Sequence, residues 1–135
     1  MENMNRKLDT AHQALTRLKE VLARPADDVV RDSAILRFTL ATETVWKAAR
    51  SVIADQMGAE RLNSASPKAM VRESQIAGFL TEEQTELALA MMNDRNLTVH
   101  TYDEEKAEDL FSRLPAHAAL IESWISAMRS AITRL

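Results

Sequence analysis

The densest run of chemically able side chains in this chain of 135 residues is Asp94-Arg95-Asn96-Leu97-Thr98-Val99-His100-Thr101-Tyr102. Arg95 can grip a phosphate through two parallel hydrogen bonds. Asn96 donates and accepts at once, and His100, with an ordinary pKa near ~6.5, moves protons at neutral pH. Tyr102, the only tyrosine, adds a phenolic hydroxyl. On an unbroken helix, residues five apart differ in direction by about 140°, so Arg95 and His100 would point to different sides. They converge only where the helix ends between them, or where two chains bring two copies together across a twofold axis. The bland alternative is a polar helix end with His100 packed against the next helix.

Other site patterns are missing. The chain has no GxxxxGK[ST], GxGxxG or HExxH, and its three histidines have no partner at metal-ligand spacing. His12, among Leu8, Ala11 and Leu15, reads as a helix-face residue, and His117, in Pro-Ala-His-Ala-Ala, has nothing nearby to work with. Without cysteine there is no disulfide, thiolate zinc site or cysteine nucleophile. No metal or cofactor is expected. Glu43 either faces the interior and pairs with Arg95 or is solvated, and Met91-Met92 reads as core and dimer interface.

The elements that must position this run are helical. Only 2 glycines and 3 prolines stand against 21 alanines and 7 methionines, which excludes an all-β fold and favours an all-α domain covering residues 1–135. Met4, Leu8, Ala11, Leu15, Leu18 and Leu22 form a helical seam that Pro25 ends. Asp27 or Asp28 caps a second helix, with its seam at Ile35, Phe38, Val45, Ala49 and Val52, flanked by Trp46 and Ile53, and Gly58 closes it. Ser66-Pro67 starts a short helix that Gly78 breaks, and Thr81 with Gln84 fits a capping box for a fourth. The β-branched residues near Leu97–Tyr102 predict an irregular junction. Thr101 or Asp103 then caps a helix to about Leu114, and Pro115 starts or kinks a final one through Ile121, Trp124, Met128, Ala131 and Leu135. The expected architecture is an up-and-down bundle of four or five helices.

Charge excludes further classes. Residues 103–110 hold five acids and one lysine, leaving 16 bases and 15 acids elsewhere, so one short block sets the net charge of −3. That block is either a solvated helix start or a docking surface for a basic partner. This is not the footprint of a protein that holds long nucleic acid by bulk electrostatics. The N-terminus lacks a secretory pattern and no apolar run approaches a membrane span, so a soluble cytoplasmic protein is expected.

Arg95-Asn96 followed by His100-Thr101-Tyr102 resembles the RNxxxH motif, with its HxY extension, of the HEPN superfamily. The likeness continues through Arg31-Asp32, Arg37-Phe38, Glu43, Trp46-Lys47, Ser66-Pro67, Val71-Arg72-Glu73 and Gly78-Phe79-Leu80, over roughly residues 8–114. The chain is similar to the branch known as nucleotidyltransferase substrate-binding proteins, or HepT-like toxins. The resemblance implies a helical bundle, a homodimer and a partner, encoded nearby, that is a minimal nucleotidyltransferase. It also implies a metal-independent endoribonuclease toxin in a toxin–antitoxin pair, with RNA and not DNA as substrate. His100 would move protons at the 2′-hydroxyl or the leaving oxygen, Arg95 would stabilise the phosphorane-like transition state, and Asn96 would orient the phosphate or the histidine. Asp94, Thr101 and Glu43 would support them. Tyr102 would accept AMP from the nucleotidyltransferase, silencing the toxin, besides closing the helix junction as a half-buried aromatic. The resemblance equally allows a non-catalytic accessory subunit that presents substrate to the nucleotidyltransferase.

Overall fold

In the computed structural model, which describes residues 2–62, 66–100 and 103–133 without the side chains of Glu2, Val99 and His100, the first apolar seam becomes helix α1 (Glu2–Leu22). Met4, Leu8, Ala11, Leu15 and Leu18 are buried, and Val21 takes the last inward position that the spacing assigned to Leu22. Leu22 packs, partly exposed, at the edge of the core. Helix α2 (Asp28–Met57) starts where the Asp27 carboxylate accepts from the Val30 N–H at 2.8 Å. It ends at Gly58, whose φ of +101° suits a residue without a Cβ. All seven predicted seam and flanking residues of α2 are buried, together with Ala34, Ala41 and Ala48. These small residues let α1 and α5 (Glu104–Thr133) approach the central helix closely.

A 3₁₀ turn (Ala59–Leu62) follows α2. Ser66 then caps α3 (Pro67–Ile76) by accepting from the Ala69 N–H at 3.1 Å, with Pro67 at the first helical position. Thr81 and Gln84 form the predicted reciprocal capping box of α4 (Glu82–Asn96). After Asn96 the chain tightens into a second 3₁₀ turn (Leu97–His100), the irregular junction expected from Thr98 and Val99. The Asp103 carboxylate accepts from the N–H groups of Glu105 and Lys106 at 3.0 and 3.3 Å and opens α5.

The final helix corrects the expectation of two helices meeting at Pro115. Helix α5 is continuous for 30 residues with the proline inside it. A proline there removes one backbone donor and crowds the preceding turn. The buried stripe nevertheless runs straight through, from Leu110 and Leu114 to Ala118, Ile121 and Trp124. Burial on both sides of the proline keeps the two halves in one continuous helix.

The result is all-α, an up-and-down bundle in which the long α1, α2 and α5 pack together while α3 and α4 cover the flank of α2. Among the described residues there is no β-strand, and no helix is long and apolar enough to cross a membrane. Trp124 is fully buried and its indole N–H donates to the Ser74 hydroxyl at 3.2 Å, tying α5 to α3. Trp124→Ala is therefore expected to destabilise the fold by about 3–5 kcal/mol, read as an earlier midpoint in urea unfolding followed by circular dichroism.

Candidate functional site

Helix α4 buries Thr85, Ala88, Met91 and Met92, the methionines serving as core. Arg95, four residues beyond Met91, emerges at the rim of that buried stripe with its side chain 32% exposed. It forms an ion pair with Glu43 of α2, the inward alternative of the two open for that carboxylate. Lys47, one turn along α2, lies 3.9 Å from the other oxygen of Glu43. The Arg95 Nη1 donates to the Asn96 side-chain oxygen at 3.3 Å, so the arginine and asparagine of the motif stand together. A guanidinium carries five N–H donors in a fixed fork. Glu43 and Asn96 hold part of that fork, and the side chain keeps about a third of its surface exposed at the helix end.

The junction itself is stitched locally. The Thr98 hydroxyl donates to the Arg95 carbonyl at 2.8 Å, which stabilises the change from α to 3₁₀ winding after Asn96. Helix α4 therefore ends between Arg95 and His100, and His100 closes the turn. The His100 side chain, Thr101 and Tyr102 lie outside the described residues, as do the roles assigned to them.

Asp94 points the other way, into the bundle. Its carboxylate accepts from Arg113 of α5 through two bonds, Nε at 2.8 Å and Nη2 at 2.9 Å. The same carboxylate lies 2.7 Å from the Nε2 of His117. The His117 ring is buried and stacks on Phe38, with centroids 5.4 Å apart. Burial alone would raise the Asp94 carboxyl, but the hydrogen bonds from Arg113 and His117, with their charges, outweigh it. The carboxyl is held below the ordinary carboxylate range. The Arg113 guanidinium is raised in turn by Asp94. His117, expected to have nothing nearby, thus belongs to a polar triad in which Asp94 and His117 are buried and Arg113 reaches in from the surface. The signal in the sequence is Arg113 and His117 at i and i+4 on one helix face. Their acidic partner lies a whole helix earlier and is not visible in local spacing.

The acidic block is also more engaged than a solvated helix start. Arg31, its side chain only 7% exposed, reaches Glu108 at 2.9 Å, Asp32 at 3.1 Å, Asp28 at 3.6 Å and Glu104 at 3.9 Å. The hydrogen bonds that its guanidinium donates to Glu108 and Asp32 raise it further above an already high value. Glu104 and Glu108 thereby fasten the start of α5 to α2, close to the helix junction. Among the described residues no three histidine, aspartate or glutamate side chains come together as metal ligands.

Comparison with known proteins bears on the family and the fold. The family described as nucleotidyltransferase substrate binding protein like matches residues 6–130. A crystal structure from Thermus thermophilus is 41% identical, covering 88% of this chain and 98% of its own, with a TM-score of 0.81. A tri-AMPylated HEPN toxin from Shewanella oneidensis, in complex with an MNT antitoxin, is 18% identical over 94% of this chain and 96% of its own, with a TM-score of 0.75. A Haemophilus influenzae protein, described as revealing the fold of a substrate binding domain of a nucleotidyltransferase, is 19% identical. It covers 95% of this chain and 98% of its own at a TM-score of 0.68. No curated protein matches the chain. A family pattern that spans nearly all of the sequence and a relative at 41% identity make this chain a member of the family described as nucleotidyltransferase substrate binding protein like, and it shares its helical bundle with the Shewanella HEPN toxin.

Proposed function

We propose that the protein is the toxin partner of a minimal nucleotidyltransferase, a homodimeric, metal-independent endoribonuclease silenced by AMP transfer to Tyr102. The observation that carries this reading is the Arg95 guanidinium, held by Glu43 and Asn96 with donors to spare where α4 gives way to the turn ending at His100. His100 takes the proton from a ribose 2′-hydroxyl, whose oxygen then bonds to the adjacent phosphorus. The bond from phosphorus to the 5′-oxygen breaks, and that oxygen receives a proton from the His100 of the second copy. The products are a 2′,3′-cyclic phosphate and a 5′-hydroxyl. Arg95 stabilises the extra negative charge on the phosphoryl oxygens in the transition state. DNA, lacking the 2′-hydroxyl, is not a substrate.

The homodimer is supported by the open face of α2. Val29, Leu36 and Leu40 are 77%, 63% and 53% exposed. Leu36, Leu40 and Glu43 follow at i, i+4 and i+7, so this apolar stripe runs into the Glu43–Arg95 pair. A second copy seated on the stripe across a twofold axis brings two Arg95 fork ends to one cleft. AMP on Tyr102 adds a phosphate and a nucleoside two residues from His100, occupying by charge and volume the place where RNA must dock. The AMPylated state of the Shewanella toxin, bound to its MNT antitoxin, supports that step. The accessory-subunit reading is favoured by one observation, that a carboxylate already neutralises Arg95.

Expression without the nucleotidyltransferase separates the two. The ribonuclease reading expects the native chain to arrest growth and His100→Ala to grow normally, whereas equal growth leaves the accessory subunit. Co-expression with the nucleotidyltransferase is expected to add the mass of AMP to the native chain and none to Tyr102→Phe, read by intact-mass spectrometry.

A further inference from the structure

Three adjoining hollows of ≈ 240, ≈ 340 and ≈ 590 Å³ run along the seam between α1 and α2. The first and second share Thr10 and Thr44, and the second and third share Gln13, Arg17 and Arg37, so together they form one trough. Arg6, Lys7, Arg17, Arg37 and Lys47 line it against a single carboxylate, Glu20. This concentration of positive charge stands in a chain whose net charge is −3.

Most of these cations are not neutralised by a carboxylate, a condition that among the described residues they share with Arg24, Arg72 and Lys106, and what sets them apart is that they gather along one concave seam. Lys19, Arg31, Arg61, Arg113 and Arg129 are each tied to a carboxylate. Among the described residues Arg6, Lys7, Arg17 and Arg37 have no carboxylate partner, and Arg37 donates instead to the Arg17 carbonyl at 2.8 Å. Arg6, Thr10, Gln13 and Arg17 recur at i, i+4, i+7 and i+11, one straight row on α1. From Arg6 to Arg17 the row runs ~16 Å, the reach of a few nucleotides. Its neutral members are hydroxyls and an amide, and no aromatic ring lines it, so it suits phosphates and sugars and offers no stacking platform for bases. One end meets the candidate site, because Lys47 sits 3.9 Å from the carboxylate that holds Arg95.

We propose that this trough is the track along which the sugar–phosphate backbone of single-stranded RNA reaches Arg95, an assignment that rests on the ribonuclease reading and names where its substrate lies. The uncompensated cations focus field lines in a concave wall and raise the local concentration of polyanion. Leu40 is shared by the trough and the apolar stripe of α2, so the track runs along the rim of the dimer seam. Recognition is through phosphate and is independent of base sequence.

The test compares two charge-matched double variants, each made in the His100→Ala background so that RNA is bound and not consumed. Arg6→Ser with Arg17→Ser removes two trough cations, and Arg72→Ser with Lys106→Ser removes two exposed cations elsewhere. Binding of a fluorescein-labelled single-stranded RNA, about 12 nucleotides long so that it exceeds the trough, is followed by anisotropy across a salt series, with the mass in solution measured by light scattering. The trough variant is expected to weaken binding about tenfold and to lower the magnitude of the salt slope by roughly 1.4, at an unchanged mass. The control variant is expected to stay within about twofold of the parent. Equal effects from both variants, no effect from either, or weakening only through dissociation into monomers overturns the assignment. So does a trough variant that keeps RNA affinity but no longer binds the nucleotidyltransferase, which would give the trough to a protein. If the native chain cuts no RNA while the trough variant still loses binding, the ribonuclease reading falls and the track remains.

Discussion

Arg95→Ala is expected to lower kcat/KM for RNA cleavage by two to three orders of magnitude, about 3–4 kcal/mol of transition-state stabilisation. On the proposed ribonuclease reading the effect is large because the guanidinium would meet charge that develops only as the phosphorane forms, in a geometry fixed beforehand by Glu43 and Asn96. Arg95→Lys keeps the charge but loses the fork, so it is expected to restore only a small part of the rate. Stability is expected to change little, since the Arg95–Glu43 pair is partly solvated and such pairs contribute modestly. Steady-state cleavage of a labelled RNA, beside a melting curve for each variant, separates the two quantities. A variant as active as the native chain would remove Arg95 from the chemistry.

The second large effect is on stability. Asp94→Ala leaves the buried His117 ring and the Arg113 fork without their shared acceptor, and is expected to cost about 3 kcal/mol, a shift of more than a hundredfold in the folding equilibrium. The same carboxylate makes the fold acid-sensitive. Its value in the folded chain lies below the ordinary ~3.9 of an unfolded aspartate. Its contribution is therefore complete at pH values above that ordinary range, and is lost as pH falls from there through the depressed folded value. Urea unfolding at pH 7 and at pH 3 checks this. The stability gap between the native chain and Asp94→Asn is expected to be wide at pH 7 and to narrow at pH 3. A gap that is constant with pH would mean that the carboxylate is not held charged by Arg113 and His117.

Most of the scaffold follows from local signals. The caps at Asp27, Ser66 and Thr81 each depend on residues within three positions, so their chemistry is complete in a short stretch of sequence. The seam of α2 is equally plain, because Ile35, Phe38, Val45, Ala49 and Val52 keep helical spacing over many turns. Pro115 misleads for the opposite reason. Its local cost is real, but a buried stripe on both sides of it decides the outcome, and that is a tertiary property. The Asp94–Arg113–His117 triad and the Arg31 cluster are hidden because they join residues on different helices. The trough is obscured by averaging, since a near-neutral surface total conceals cations gathered on one row of α1 and their acidic counterparts elsewhere. The Arg95–Glu43 pair is one of two alternatives that the sequence leaves open for Glu43, and only packing of α4 on α2 chooses between them.

The proposed ribonuclease would use Arg95 at the end of α4 and His100 at the close of the following turn to cut RNA through the RNA's own 2′-hydroxyl. The direct measurement is to incubate the purified native protein with a short RNA, in the presence of a chelator, and to identify the product ends by mass spectrometry. The expected products are fragments ending in a 2′,3′-cyclic phosphate and a 5′-hydroxyl. A 2′-deoxy substitution at the cleaved nucleotide is expected to block the cut, and His100→Ala to yield no fragments. Fragments ending in a 3′-hydroxyl, cleavage that survives the 2′-deoxy substitution, or intact RNA throughout would contradict that mechanism.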